Sequence, residues 1–275
     1  MLYEVNFLRK IFIPLLKIFN PGLISIKHPY TGSKFFLDAF MHKGYWYRGK
    51  KREKPTMQLF ENIVKRGETI IDIGGHIGYV SCFLSKLVGN AGKVYVFEPG
   101  NNNIPYIERN IKLLSNTVLI KKAVSDTNGI AVFFIENLTG QNNSLLPEYY
   151  QVGVNEKLSY TVCKKSQIEV ETITLDSFCE QFDIRPNFIK IDVEGAELLA
   201  IKGGIKILQN YQPALMVEIT QNWSSVLSII ENENYICFND SLVLIDKNIA
   251  TLGNVFCLHK IKHSDILKLL DIKFS

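Results

Sequence analysis

Three carboxylates stand where runs of β-branched and aromatic residues give way to turns. Asp72 lies near the end of Thr69–Ile73, Glu98 follows Lys93–Phe97, and Asp192 lies near the end of Asn187–Val193. Apolar runs of this length, bounded by glycine, proline and polar residues, predict strands. In a parallel sheet the carboxyl ends of neighbouring strands lie side by side, so the three acids would converge on the crevice where open α/β sheets bind ligands. Gly74, Gly75 and Gly78 follow the first run and lead into a helix-like segment, Tyr79–Val88. A strand, a tight turn and a helix in that order let backbone amides at a helix N-terminus meet a ligand.

The spacing narrows the ligand. Glu98 comes twenty residues after Gly78, the distance at which the next strand returns, and a carboxylate there accepts hydrogen bonds from both hydroxyls of a ribose. A dinucleotide cradle needs G-x-G-x-x-G, with room for a pyrophosphate. Here Gly74 and Gly75 are adjacent, and His76 takes the place of the second motif glycine. Asp72, just before the turn, would repel a pyrophosphate and welcome a cation. A sulfonium that also carries an ammonium group is such a ligand, so the pattern leans towards S-adenosyl-L-methionine over NAD.

A second group of candidates surrounds Asp192. Lys190 interrupts an otherwise apolar strand, which is costly unless the lysine is paired. At i, i+2 it faces the same side of the strand as Asp192. It therefore tunes that carboxylate, contacts an acceptor, or belongs to a purely structural pair. Asp192 and Glu194 are candidate general bases, with His76 behind them. Asp192 and Glu218 stand at the ends of adjacent predicted strands and offer hard oxygen ligands. Two carboxylates alone do not define a metal site, and none is assigned.

The elements that must position these groups read as follows. Residues 3–19 are apolar on most sides but carry Arg9, Lys10 and Lys17. The longest uncharged run, Ile11–Leu16, is far short of the ~20 residues of a spanning helix, and no cleavable leader pattern follows. The segment reads as an interfacial membrane contact or as a docking helix. Leu23–His28 and Lys34–Phe40 form a hairpin pattern, and residues 42–52 interleave aromatics with cations. Such a patch either stacks on sugar rings or bases and holds phosphates, or forms a solvated edge. A helix is expected over Pro55–Arg66. Asn101–Asn103 would cap a helix running through Asn116, and Asp176 would cap Ser177–Phe182. A further strand is expected within Thr161–Ile173. One helix follows Glu197 to Leu208, and Tyr235–Phe238, Leu242–Ile245 and Asn254–His259 read as antiparallel strands. Strands alternating with helices through Ile219 predict a parallel sheet with right-handed crossovers.

Composition excludes several classes. With 47% hydrophobic and 21% charged residues among 275, and a net charge of +4, the chain is an ordinary globular protein with no nucleic-acid signature. Five cysteines, widely spaced and without C-x-x-C pairs, indicate neither a disulfide framework nor a zinc site. A cytoplasmic location is expected, with peripheral contact at a membrane if residues 1–20 bind one. Asn137–Tyr150 is a long polar loop of the kind that often serves function.

On these residues the chain resembles an FkbM-type methyltransferase, a branch of the class I S-adenosylmethionine-dependent fold. The resemblance rests on Asp72-Ile-Gly-Gly-His-Ile-Gly-Tyr79, Glu98-Pro99 with Asn103 and Asn110, Ala123-Val-Ser-Asp126, Thr172-Ile-Thr-Leu-Asp176, and Lys190-Ile-Asp-Val-Glu-Gly-Ala-Glu197, with Asn254 near the end. Gly75-His76 replaces the Ala-Asn usual in the family. The resemblance covers about residues 55–260. It implies an α/β, Rossmann-like class I sheet, mostly parallel with an antiparallel C-terminal hairpin, over residues 55–275. Residues 1–54 then form an N-terminal extension. It also implies an O-methyltransferase acting on a hydroxyl of a glycan or polyhydroxylated metabolite. Asp72, Gly74, Gly75 and Gly78 would hold the methionine part of the cofactor, Glu98 the ribose and Ala123 the adenine edge. Asp192 would stand near the methyl group, with Glu194 and Lys190 as further catalytic candidates. A nicotinamide-dependent oxidoreductase and a catalytically inactive, membrane-associated scaffold are the competing readings. Asp-Val-Glu-Gly after Ile191 lacks the Pro-Pro-aromatic clamp of enzymes that methylate flipped bases.

Overall fold

The computed structural model describes residues 18–136, 139–147, 165–249 and 252–272. Residues 1–17, and with them most of the proposed membrane-contact segment, lie outside the described residues, as do residues 137–138 and 148–150 of the polar loop and residues 161–164 at the start of the expected Thr161–Ile173 strand. Among the described residues no helix is long and apolar enough to cross a membrane.

The centre is a seven-stranded sheet. Five of its strands are parallel neighbours, in the order β10 (Ala214–Ile219), β9 (Phe188–Ile191), β3 (Thr69–Ile73), β4 (Lys93–Phe97) and β5 (Thr117–Ile120). At the β10 edge β12 (Gly253–His259) runs antiparallel and pairs in turn with β11 (Tyr235–Asn239). The expected mostly parallel sheet with an antiparallel C-terminal hairpin is therefore present. Helices cover both faces, which is why the inner strands read as continuous apolar runs. Alternate residues feed two cores: Ile70, Val94, Phe188 and Met216 one, and Ile71, Ile189, Ile191 and Val217 the other. A smaller sheet of β6 (Ala123–Val124), β8 (Lys165–Ile173) and β7 (Gly129–Glu136) flanks the carboxyl end.

The hairpin of β1 (Leu23–Lys27) and β2 (Lys34–Asp38) packs on the main domain. Phe35, Leu37 and Tyr45 share one apolar cluster with Phe60, Ile70 and Val94. Asn110 ties the two parts together: its amide oxygen accepts from Phe36 N at 2.7 Å, and its Nδ2 donates to the Phe36 and Ile77 carbonyls at 2.9 and 2.8 Å.

Local expectations are corrected where tertiary partners outbid the caps. The helix expected through Asn116 spans only Ile104–Ile111, and the Asn103 side chain bonds to Glu98 and to the Gly140 carbonyl instead of capping it. Thr174 caps the helix at Leu175–Phe182 by accepting from Ser177 N. Asp176 turns outward and receives the amides of Lys206 and Ile207. The helix expected to reach Leu208 breaks into Glu197–Lys202 and Ile205–Tyr211, because Gly203 passes so close to Ser125 that a Cβ there would lie 2.1 Å from its carbonyl oxygen. The helix expected over Pro55–Arg66 spans Lys54–Ile63. Leu242–Ile245 is no strand; one bridge, Phe238 to Leu244, is all that forms. The aromatic–cationic segment folds into a helix, Lys43–Arg48, and a 3-10 turn, Gly49–Lys51.

Because Asn110 satisfies buried backbone groups on two elements, Asn110→Ala is expected to lower the unfolding free energy by about 2–3 kcal/mol. Urea denaturation checks this, and a change under about 0.5 kcal/mol would mean that the hairpin does not depend on it.

Candidate functional site

The carboxyl ends of β3, β4 and β9 meet at one point, and the meeting is ionic. Asp72 and Lys190 are register partners on adjacent strands, 0% and 3% exposed. The Lys190 ammonium lies 3.1 Å from Asp72 Oδ1 and 3.2 Å from Asp192 Oδ2, and it donates to the Gly74 carbonyl at 3.3 Å. Ser81 Oγ donates to the other Asp72 oxygen at 2.6 Å. Burial works against the lysine charge, but Asp192 and Asp72 outweigh it and raise its pKa above the ordinary range. Lys190 is a permanent cation with every donor used. Asp72 does not reach the cavity described below; the cation it meets is Lys190, where a ligand's cation was expected.

The glycine turn follows from close approach. Gly74 has φ +81°, and a Cβ there would sit 1.8 Å from the Asp192 carbonyl oxygen. A Cβ on Gly75 would sit 2.3 Å from Val96. The amides of Gly74 and Gly75 both donate to the Phe97 carbonyl, at 2.9 and 3.0 Å, so these two are spent inside the fold and not on a ligand. Gly78 starts the helix Tyr79–Val88 in the left-handed region and faces Ile107 and Asn110, away from the cavity.

Glu98, 4% exposed, is held from several sides. Oε2 accepts from His76 N at 2.8 Å, and Oε1 from Gly100 N at 2.8 Å and Asn103 Nδ2 at 3.2 Å. Burial, only partly offset by these donors, lifts its pKa to about 7. His76 adopts φ +48°, the conformation glycine or asparagine takes more easily. Its Nε2–H donates to the Thr139 carbonyl at 3.1 Å, which leaves Nδ1 to accept from the Tyr45 hydroxyl at 2.9 Å. Gln141 Nε2 donates to that hydroxyl at 3.2 Å. Burial holds the imidazole neutral, and both ring nitrogens are occupied, so His76 is a latch and not a base.

The latch closes residues 139–147 over the crevice. Asn103 Nδ2 reaches the Gly140 carbonyl, Asn143 bonds to Asn102, and Ser144 Oγ donates to the Glu194 carbonyl at 2.7 Å. Beneath lies a cavity of about 210 Å³. Its lining includes Ala123, Phe133 and Leu145, which share one small apolar cluster, a charged group of Lys190, Asp192, Glu194 and Glu218, and Glu98, Gly74 and Gly75. Asp192, with a side chain 28% exposed, raises the pKa of Glu218 to about 9, and burial and Glu194 add to this. Glu218 is thus a neutral carboxyl donor to Asp192 at neutral pH. Among the described residues no group of three or more ligating side chains of the kind that holds a metal is present.

Of the residues singled out by sequence, the cavity gathers Gly74, Gly75, Glu98, Ala123, Lys190, Asp192 and Glu194, while Asp72 and Gly78 support it from behind. Tyr45 and Arg52 come from the patch at residues 42–52 that the sequence offers for sugars, bases or phosphates, while Tyr79 as a lining residue was missed. The aromatic–cationic pattern of residues 42–52 was the available signal, but nothing local says which members turn inward.

A family model described as methyltransferase FkbM domain matches residues 72–237. The hexuronic acid methyltransferase AglP of Haloferax volcanii is 24% identical over 165 residues, 59% of this chain and 61% of AglP. The methyltransferase sdnD of Sordaria araneosa is 28% identical over 155 residues, 49% of this chain and 59% of sdnD. The chain thus spans about three fifths of the length of these curated relatives. The crystal structure of methyltransferase FkbM from Methylobacillus flagellatus is similar at 14% identity and a TM-score of 0.45, over 74% of this chain and 50% of that one.

The ionic cluster makes a direct prediction. Lys190→Met leaves Asp72 buried and uncompensated and is expected to cost about 3–5 kcal/mol of stability. The double variant Asp72→Leu/Lys190→Met should recover a large part of that loss, and chemical denaturation of both decides; equal losses would show that the two side chains are not coupled.

Proposed function

The chain belongs to the FkbM methyltransferase family, and from that premise we propose that it transfers the methyl group of S-adenosyl-L-methionine to a hydroxyl of a glycan or polyhydroxylated metabolite. The observation that carries the proposal is the buried, multiply held Glu98 on a cavity whose lining includes an apolar cluster of Ala123, Phe133 and Leu145 and the acids Asp192 and Glu218. A nucleoside thioether with a cationic amino acid tail has those three parts. Glu98 keeps an Oε2 lone pair for a ribose hydroxyl, Ala123 and its apolar neighbours suit an adenine, and the Asp192 carboxylate suits a sulfonium. AglP, by its name, acts on a hexuronic acid, which supports a sugar acceptor here.

When bound, the cofactor supplies an electrophilic methyl group on sulfur. The chain's own contribution is alignment of the acceptor oxygen with that carbon and exclusion of water by the latched segment 139–147. Asp192 is the proposed base. Lys190 fixes its position at 3.2 Å, and the neighbouring carboxyl of Glu218 can pass a proton towards solvent once Asp192 has taken one from the acceptor. Glu194 is the second proposed acid on the acceptor side. Lys190, saturated by two carboxylates, serves as a positioning residue and not as a proton acceptor.

Asp192→Asn is expected to reduce kcat by about 10²–10⁴-fold. Labelled methyl donor, offered with fractionated glycans and metabolites from the source cells, identifies the acceptor. Label that resists mild alkali marks an ether, whereas label that is lost marks an ester and overturns the hydroxyl assignment.

Glu98 gives a pH signature. Its carboxyl is half protonated near pH 7, and ribose hydroxyls donate best to the ionised form, so binding pulls the pKa down. Titration with S-adenosylhomocysteine should release protons near pH 7 and none near pH 9, and affinity should fall as the pH drops below 7. Calorimetry in two buffers of different ionisation enthalpy reads the release. In Glu98→Gln the release should vanish and binding weaken by at least about tenfold; an unchanged buffer dependence would remove Glu98 from the ribose site. Failure of the wild-type protein to bind S-adenosylhomocysteine would overturn the donor assignment itself.

A further inference from the structure

The wall contributed by residues 45–53 holds a cation that the methyl-transfer reading leaves unused. Arg52 lines the cavity with its side chain 17% exposed. Its guanidinium carbon lies 4.1 Å from the centre of the Tyr45 ring, and its Nε meets Glu53 Oε1 at 2.9 Å. The stack holds the plane of the fork and the carboxylate pairs with its charge at one edge without a hydrogen bond from Nε. Among the described residues neither Nη1 nor Nη2 meets a hydrogen-bond acceptor. A second donor stands beside it. Tyr79 is 2% exposed and lines the same cavity, its ring is 4.8 Å from that of Tyr45, and its hydroxyl has no partner. The Tyr79 hydroxyl is a buried donor left unpaired, which is costly, and beside the open face of the Arg52 fork it defines a place for an acceptor.

The other charges on the lining say what kind of acceptor. Lys190 is saturated by Asp72, Asp192 and Gly74, and Lys122 is paired with Glu171 at 2.7 Å. Lys122 is also 38% exposed, so Arg52 is the more enclosed lining cation with N–H groups to offer. Glu53, Glu98, Asp192, Glu194 and Glu218 lie around the same cavity and oppose a dianion such as phosphate. A planar monoanion matches the two-pronged fork.

We infer that Arg52, with the Tyr79 hydroxyl beside it, is the carboxylate anchor of this cavity. The inference deepens the methyl-transfer reading and rests on it for the two sources of the carboxylate: the amino acid end of the donor, or a uronate-type acceptor. It also assigns the N-terminal extension a direct part in ligand binding, because both Arg52 and the Tyr45 ring it stacks on belong to residues 1–54.

Calorimetric titrations of the full chain separate the cases. The proteins are wild type, Arg52→Gln and Arg52→Lys; the probes are S-adenosylhomocysteine and 5′-methylthioadenosine, which keeps the nucleoside thioether but lacks the amino acid. If the donor supplies the carboxylate, Arg52→Gln weakens S-adenosylhomocysteine at least about tenfold and 5′-methylthioadenosine by less than about twofold. Arg52→Lys falls between, since it keeps the charge but not the fork. If the acceptor supplies it, S-adenosylhomocysteine affinity is unchanged, wild type saturated with that ligand binds glucuronate at least about tenfold more tightly than glucose, and Arg52→Gln erases the preference. Equal losses for both thioethers, or unchanged S-adenosylhomocysteine affinity with no preference for glucuronate, overturn the inference. If Arg52→Gln does not fold, the ratio in Arg52→Lys decides. If wild type binds neither thioether, the donor reading fails, and the comparison of glucuronate with glucose, run on the protein without a thioether, still decides for Arg52.

Discussion

The buried ammonium of Lys190 is the constraint on which the site depends. A lysine in the middle of a parallel sheet is tolerable only when its charge is matched, and Asp72 and Asp192 match it from the neighbouring strand and from two residues further along its own. The pairing sets the register of β9 against β3, because a slip by one residue would bury both charges unpaired on opposite faces. It also brings the end of β9 so close to the turn after β3 that Gly74 must be glycine: the Asp192 carbonyl occupies the space of its side chain. Cluster and turn are two aspects of one close contact between strands.

From that contact the rest of the cavity is built outwards. Glu98 stands one strand away and takes the His76 amide, so the same turn that packs against β9 also orients the carboxylate after β4. His76 then carries the structure across the opening, with Tyr45 of the N-terminal extension on one ring nitrogen and Thr139 of the closing segment on the other. A neutral imidazole does this well, having one donor and one acceptor. The positive φ at this residue is strain held in place by its surroundings, as is common at binding sites. The walls, floor and cover of the cavity thus share a few residues.

The electrostatics divide the labour. Lys190 holds Asp192 in place, while Glu218, kept protonated by that same carboxylate and by burial, relieves the repulsion that two adjacent anions would create. Arg52, braced by Glu53 and Tyr45, adds a cation to the same lining. The N-terminal hairpin and helix, fixed to the main domain through Asn110, are in this way part of the site and more than an appendage to it.

Much of this was legible in the chain itself. Apolar runs ending in Asp72, Glu98 and Asp192 identified the central strands, because a sheet buried on both faces needs uninterrupted hydrophobic sequence, and the Lys190–Glu197 block pointed to the family. Local chemistry could not say which of several competing partners a polar side chain would choose. Asn103 and Asp176 had the right types to cap helices, yet each found a stronger partner from a distant segment. Asp72 and Lys190 had the right types to meet ligand, yet they meet each other, since strand register is a long-range property. The inward turn of Tyr45, Arg52 and Tyr79 was decided by how the hairpin docks on the domain. Sequence by itself determined which strands form and which residue types reach their ends; only the tertiary structure decided which of those charges are spent on one another and which remain for a ligand, because a buried charge is settled by whatever partner packing brings within about 3 Å.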